Sequence, residues 1–286
     1  MKQRKLAPVM ALVVLVFLLQ ACGGGGDDAP ASTSTTSPTP TSVAAQPTEV
    51  PDRFVDPSKL PAWTEIDVSN GGAITGVATH QSAPPEQGVI VCTKDCDVFG
   101  DTIPQESLIV SGDGKIENVV VFIEEITEGK ALSRAMPSIT NQLGRFEPHV
   151  QTFYAREFLI RSVDPVLHNT HPYLGRKEEG GRSCYNVAIR ADEGDAKQIR
   201  KNLCAGAVQS GVYQIRCDAH DWMRGWVLLL DHPYGATSGE DGSYVIDQIP
   251  PGTYMLKAWH ETLGEQVTEI TVTAGGTTEV NFEFGL

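Results

Sequence analysis

Glycine or proline interrupts nearly every stretch of this sequence, with 28 Gly and 18 Pro among 286 residues. In a helix interior Gly costs about 1 kcal/mol and Pro about 3 kcal/mol relative to Ala, so no long uninterrupted helix is expected. Between the breaks lie short runs of strand length, apolar or alternating. Ala73–Thr79, Gly88–Cys92, Ser107–Ser111, Asn118–Glu124, Arg156–Val163, Tyr185–Ile189, Val212–Cys217 and Gly225–Leu230 read as strands, and four more follow Pro233. Val119–Ile123 is apolar throughout, as in a strand buried on both faces. Only Thr127–Met136 and Asp192–Asn202 read as short helices. The expected class is all-β, built as sandwiches or barrels.

The balance of 22 Lys and Arg against 36 Asp and Glu leaves a net charge of −14. Such a field repels phosphate, which excludes non-specific binding to nucleic acid or anionic lipid. At the start, Lys2, Arg4 and Lys5 precede the apolar run Leu6–Leu19, which is too short to span a bilayer. The run ends in Leu19-Gln20-Ala21-Cys22, followed by glycines. This resembles the lipobox of bacterial lipoproteins, with Gln20 standing where a small residue is usual. The resemblance implies that residues 1–22 are a signal segment and that Cys22 becomes a lipidated N-terminus. The chain is then extracytoplasmic, anchored to the membrane on its periplasmic face or at the cell surface, where disulfides persist. Residues 23–62 are rich in Ser, Thr and Pro with no apolar periodicity, and are expected to be a disordered tether reaching about 35 Å.

The chemistry concentrates in Cys217-Asp218-Ala219-His220-Asp221-Trp222-Met223. A strand delivers a thiolate to its end, and a short loop adds an imidazole and then a thioether at intervals of three. That mixture of soft and borderline ligands suits copper, whereas zinc sites rarely use methionine. His168, 49 residues upstream of Cys217 in Asp164-Pro165-Val166-Leu167-His168-Asn169, supplies a second imidazole. Taken with Gly144-Arg145-Phe146-Glu147-Pro148-His149-Val150 and Glu157-Phe158-Leu159-Ile160, the order of these motifs resembles a cupredoxin of the plastocyanin and amicyanin type. The resemblance covers about residues 140 to 231. It implies a Greek-key β-sandwich and one type 1 copper held by His168, Cys217, His220 and Met223, with Met223 as the weak axial ligand. It also implies that Asn169 pins the loop carrying Cys217, and that His220 lies at an exposed edge through which an electron passes. Trp222 and Trp226 are expected to keep water from the metal. His171 is expected on the opposite strand face, in solvent, and His80 on the surface; His149, His171, His232 and His260 stay open as members of a second metal site.

With Cys22 assigned to lipid and Cys217 to metal, Cys92, Cys96, Cys184 and Cys204 allow three pairings. The favoured one joins Cys184 to Cys204 and Cys92 to Cys96. At the C-terminus, Asp241-Gly242-Ser243-Tyr244-Val245-Ile246 and Pro250-Pro251-Gly252-Thr253-Tyr254 resemble the second half of a carboxypeptidase regulatory-like, transthyretin-type sandwich. That resemblance brings in a glycan as a candidate ligand, since such modules are grouped with carbohydrate-binding-like folds. About 50 residues cannot enclose an independent sandwich core, so residues 73–92 are expected to complete the one at 233–286. The copper-binding domain, 100–232, then lies between the two halves. The function expected is membrane-tethered electron transfer to a redox partner protein, without enzymatic turnover. The rivals are a glycan- or protein-binding lipoprotein with a structural or vestigial copper, and a copper-handling chaperone. A multicopper oxidase would need paired His-x-His ligands, and none occur.

Overall fold

The computed structural model describes residues 55–190, 199–204 and 209–285. The signal segment 1–22, with Cys22, and residues 23–54 of the tether span lie outside the described residues, as does most of the proposed helix 192–202. The described chain is nearly all β, with a single α-helical turn at Cys96–Phe99 and 3-10 turns at Pro57–Lys59 and Lys177–Glu179. No described helix is long and apolar enough to cross a membrane.

Two sandwiches account for most of the strands. In the first, strands Gly235–Thr237, Val120–Ile123, Gly252–His260 and Gly264–Val272 form one sheet, in that order. Facing it, Gly72–His80 pairs with Ser243–Ile249 on one side and with Thr277–Glu279 and Phe282–Phe284 on the other. Every second residue of Gly72–His80 is buried, and its Ile74 and Ala78 join Val121, Ile123, Leu256, Ile270 and Phe282 in one core. In this strand Gly76 meets Val280 so closely that an added Cβ would lie 1.7 Å from the Val280 carbonyl oxygen. Gly76→Ala must therefore push two backbones apart, and thermal unfolding should show a loss at or above the upper end of the roughly 1–3 kcal/mol usual for overpacking.

In the second sandwich, Ile199–Asn202, Glu157–Ser162, Ser138–Gln142 and Arg145–Glu147 form one sheet. The other runs Arg182–Ser183, His168–Leu174, Gly211–Arg216, Arg224–Leu229 and Val150–Phe153, with Val187–Ile189 also paired to His168–Leu174. Ile139, Phe158, Ile160, Tyr213, Ile215 and Val227 fill the space between. The two sandwiches meet along Arg224–Leu229. Val227 and Leu229 face the second core, while Trp226 and Leu228 face out onto Val120 and Trp259 of the first sandwich. Both Val120–Ile123 and Gly225–Leu229 are free of polar side chains because each is covered on both sides.

Several boundaries differ from those read in the sequence. Val120–Ile123 falls inside the span 100–232 but pairs with Gly235–Thr237 and Gly252–His260. Within 73–92, only Gly72–His80 joins the C-terminal strands; Val89–Val91 pairs with Thr102–Pro104, and Ile90 and Cys92 pack on the second core. Residues 55–62 are not loose tether. Val55 is fully buried and its N–H donates to the Arg134 carbonyl, while Arg156 N–H donates to Lys59. Neither short helix forms in the described residues: Glu128–Gly129 pairs with Thr64–Glu65, and Ile199–Asn202 pairs with Glu157–Ile160. Strand partners supplied from distant sequence overrode a weak local helical preference. Disulfides join Cys92 to Cys96 and Cys184 to Cys204, with Cα–Cα distances of 5.7 Å and 4.7 Å.

Candidate metal centre

Arg216 pairs with Arg224 at the end of the hairpin, so residues 217–223 form the whole connection between the two strands. The neighbouring strand His168–Leu174 is registered with His171 opposite Arg216, which leaves His168 level with that loop. The loop is braced from within by Met223 N–H donating to the His220 carbonyl at 3.1 Å. It is braced from outside by the Arg216 guanidinium, which donates to the Asp221 carbonyl at 2.9 Å and to Glu178.

Three donor atoms converge here. Cys217 Sγ lies 3.8 Å from His168 Nδ1 and 3.8 Å from His220 Nδ1, and the two Nδ1 atoms are 3.2 Å apart. All three residues are buried, and among the described residues this is the one group of His, Cys, Asp or Glu whose ligand atoms cluster closely enough to hold a metal ion. Met223 is buried in the same core, at the end of the same loop.

The imidazoles point inward because carboxylates hold their outer nitrogens. His168 Nε2–H donates to Asp164 Oδ2 at 2.9 Å, and His220 Nε2–H donates to Asp95 Oδ2 at 2.8 Å. An ionised carboxylate only accepts, so each ring keeps a proton at Nε2 and turns Nδ1 toward the sulfur. Asp164 is itself fixed by the backbone N–H groups of Leu143 and Gly144, in a turn where both residues have positive φ. Burial would raise the Asp164 carboxyl, but His168 and these N–H groups outweigh it and hold it below the usual range.

The thiol responds to the same neighbours. Burial alone would raise Cys217, yet hydrogen bonding with His168 and His220, and the donation from the Asn169 backbone N–H, bring it down to about 6. Burial would likewise lower His168, but Asp164 and Cys217 carry it above its ordinary value. Three donors this close need a cation among them. A shared proton meets that need, and a metal ion that displaces the proton would meet it as well.

Asn169 meets the loop carrying Cys217 directly through its backbone and, by way of Asn186, through its side chain. Its backbone N–H donates to Cys217 Sγ at 3.3 Å, while its side chain donates to Asn186, which in turn binds Asp218. Trp222 covers the His220 ring at a centroid distance of 5.0 Å and donates its indole N–H to the Gly144 carbonyl. Trp226 is no part of this cover; it faces Trp259 across the seam between sandwiches. His220 is not at an exposed edge. It is 0% exposed, because Asp95 and the edge of Phe99, 5.3 Å away, lie over it.

The other histidines do not converge. His149 is buried between Glu261 and Glu106, and His232 packs on Trp63 and Tyr234. His171 is largely covered and binds Asp218 and Ser183 rather than facing solvent. His80 is buried at the end of its strand, not on the surface.

The comparisons with known proteins bear on the C-terminal part. The model of the carboxypeptidase regulatory-like domain matches residues 227–285. That stretch contains most strands of the first sandwich, whose remaining members, Gly72–His80 and Val120–Ile123, arrive from earlier in the chain. No curated protein matches the sequence. Among solved structures, a copper-containing nitrite reductase from Thermus scotoductus is similar at 14% identity, over 39% of this chain and 25% of that one, with a TM-score of 0.25. The Bacillus anthracis TIE protein is similar at 7% identity over 75% of this chain and 51% of its own, with a TM-score of 0.17. This chain thus spans a quarter of the first protein's length and about half of the second's.

Asp95, Asp164 and Phe99 were not picked out in the sequence as parts of the site. Asp164 opens the motif that ends in His168, four residues later, and that spacing is its one signal. Asp95 and Phe99 lie more than 100 residues before Cys217; their signal is the close pair Cys92 and Cys96, which marks a tight loop.

Proposed function

We propose that this chain is an extracytoplasmic electron carrier in which one type 1 copper would be held by His168, Cys217, His220 and Met223. The observation that carries this reading is the convergence of two Nδ1 atoms and one thiol sulfur in a buried site. The donor set fits copper, since a thiolate, two imidazoles and a thioether suit an ion that moves between Cu(I) and Cu(II). Copper bound there would supply a one-electron couple.

The protein's own residues serve that role by staying still. Asp164 and Asp95 orient the two rings, the Asn169 N–H supports the sulfur, and Phe99 and Trp222 exclude water. Ligands held in this way need little rearrangement when the charge of the ion changes. In this reading the chain is a carrier and not an enzyme. It is tethered to the membrane through Cys22 and passes electrons to a redox partner protein. The regulatory-like sandwich is its second module, with a glycan as a candidate ligand.

The test is copper loading of the purified protein and of Cys217→Ser. The wild type should show an intense sulfur-to-copper charge-transfer band and reversible one-electron chemistry, and the variant should lose both. A colourless wild type that binds glycan would favour the binding-module reading. Rapid loss of copper to a chelator would favour a chaperone.

A further inference from the structure

Both imidazoles of the cluster are held by carboxylates, but the two carboxylates sit in different settings. Asp164 is buried within the second sandwich and receives two backbone N–H groups besides His168. Asp95 comes from outside it, on the short loop that the Cys92–Cys96 disulfide closes. Its backbone is left-handed, with φ 56° and ψ 35°, a conformation Asp adopts more readily than most residues. One turn of helix, Cys96–Phe99, follows at once and sets the Phe99 ring edge-on against His220. Two side chains of one small loop thus meet the same imidazole, one by charge and hydrogen bond, the other by packing.

From this geometry, and resting on the reading of the cluster as a metal centre, we propose that Asp95 is a positioning residue of that centre. It holds His220 by its outer nitrogen, commits Nδ1 to the ion, and places a negative charge beside a ligand. A carboxylate behind a ligating imidazole makes the ring a stronger donor and favours the more highly charged ion. The Asp95 side chain is 33% exposed, so solvent weakens its charge without cancelling it.

The experiment compares wild type with Asp95→Asn and Asp95→Ala. Asn retains an oxygen that accepts from Nε2–H but carries no charge; Ala retains neither. In the copper-loaded proteins, both variants should shift the preference toward Cu(I) by about tenfold, a rise in reduction potential of about 59 mV for one electron. In metal-free protein, nitrogen NMR shifts should place the His220 proton at Nε2 in wild type and Asp95→Asn, and on a mixture of nitrogens in Asp95→Ala. A purely structural role would lower stability without moving the potential of a folded Asp95→Asn protein. Unchanged potentials in both variants, or an unchanged His220 tautomer in Asp95→Ala, would overturn the proposal. Should wild type bind no copper, the metal reading falls by itself, and the tautomer measurement still decides whether Asp95 orients His220.

Discussion

Trp259→Ala should lower stability by about 3–5 kcal/mol, among the largest losses available to a single truncation. Trp259 is 5% exposed and meets Trp226 at a ring distance of 5.5 Å and an angle of 62°. Around this pair lie Val120, Val150 and Leu228, so the indole fills the seam between the two sandwiches. Truncation would leave a cavity lined by side chains from both, and neither sheet can bend to fill it without disturbing its own core. Calorimetry should show the melting point fall by roughly 10 °C, with one unfolding transition giving way to two as the sandwiches lose their coupling. A change below about 1 kcal/mol would mean that the seam contributes little.

The second large effect is acid instability from two buried histidines. His232 Nδ1 accepts the Tyr234 backbone N–H, and His260 Nδ1 accepts those of Thr262 and Leu263. Each ring must stay neutral at Nδ1 to do so. Burial, only partly opposed by a hydrogen bond to the Ile123 backbone and by Asp231, lowers His232 from 6.5 to about 4. For His260, burial is again the main cause and brings it to about 4, with Glu261 opposing and His149 adding to the shift. A depressed histidine pKa means that the unfolded chain takes up the proton first. The stability is therefore fully present above pH 6.5 and drains away as pH falls toward 4, by about 3 kcal/mol for each ring. His149 acts with the opposite sign. Burial would lower it, but Glu261 and Glu106 raise it above 6.5, so its contribution is complete below pH 6.5 and fades as pH rises through the raised value. The check is melting temperature from pH 7 to pH 4 for wild type and His260→Asn. The asparagine oxygen can still accept but cannot gain a charge, so the variant should show a shallower acid slope. Equal slopes would rule His260 out as a source.

Strands were legible in Gly72–His80, where alternate residues are buried, and in the apolar Val120–Ile123, but not in Ser138–Gln142 and His168–Leu174, where the buried positions include the polar Asn141, His168 and Thr170. Periodicity reports burial, and burial does not depend on which partner provides it. For the same reason periodicity could not say that Val120–Ile123 pairs with Gly252–His260, more than 100 residues later. Thr127–Met136 was misread because a two-strand pairing with Thr64–Glu65 is invisible to local propensity.

At the site, the sequence alone determined which donors stand near one another in the chain. Cys217 and His220 share a loop three residues apart, and no fold could carry them far from each other. It also determined the all-β class, through punctuation that forbids long helices. Only the tertiary structure decided what lies behind these side chains. Asp95 reaches His220 across 125 positions, and Glu261 reaches His149 across 112. Contacts of that kind follow from how two sandwiches and a disulfide-closed loop pack, and no spacing rule along the chain encodes that packing. The physical reason is the range of each signal: ligand spacing and strand alternation act over a few residues, while the electrostatics and solvent exclusion that tune a metal centre come from whatever the fold sets beside it.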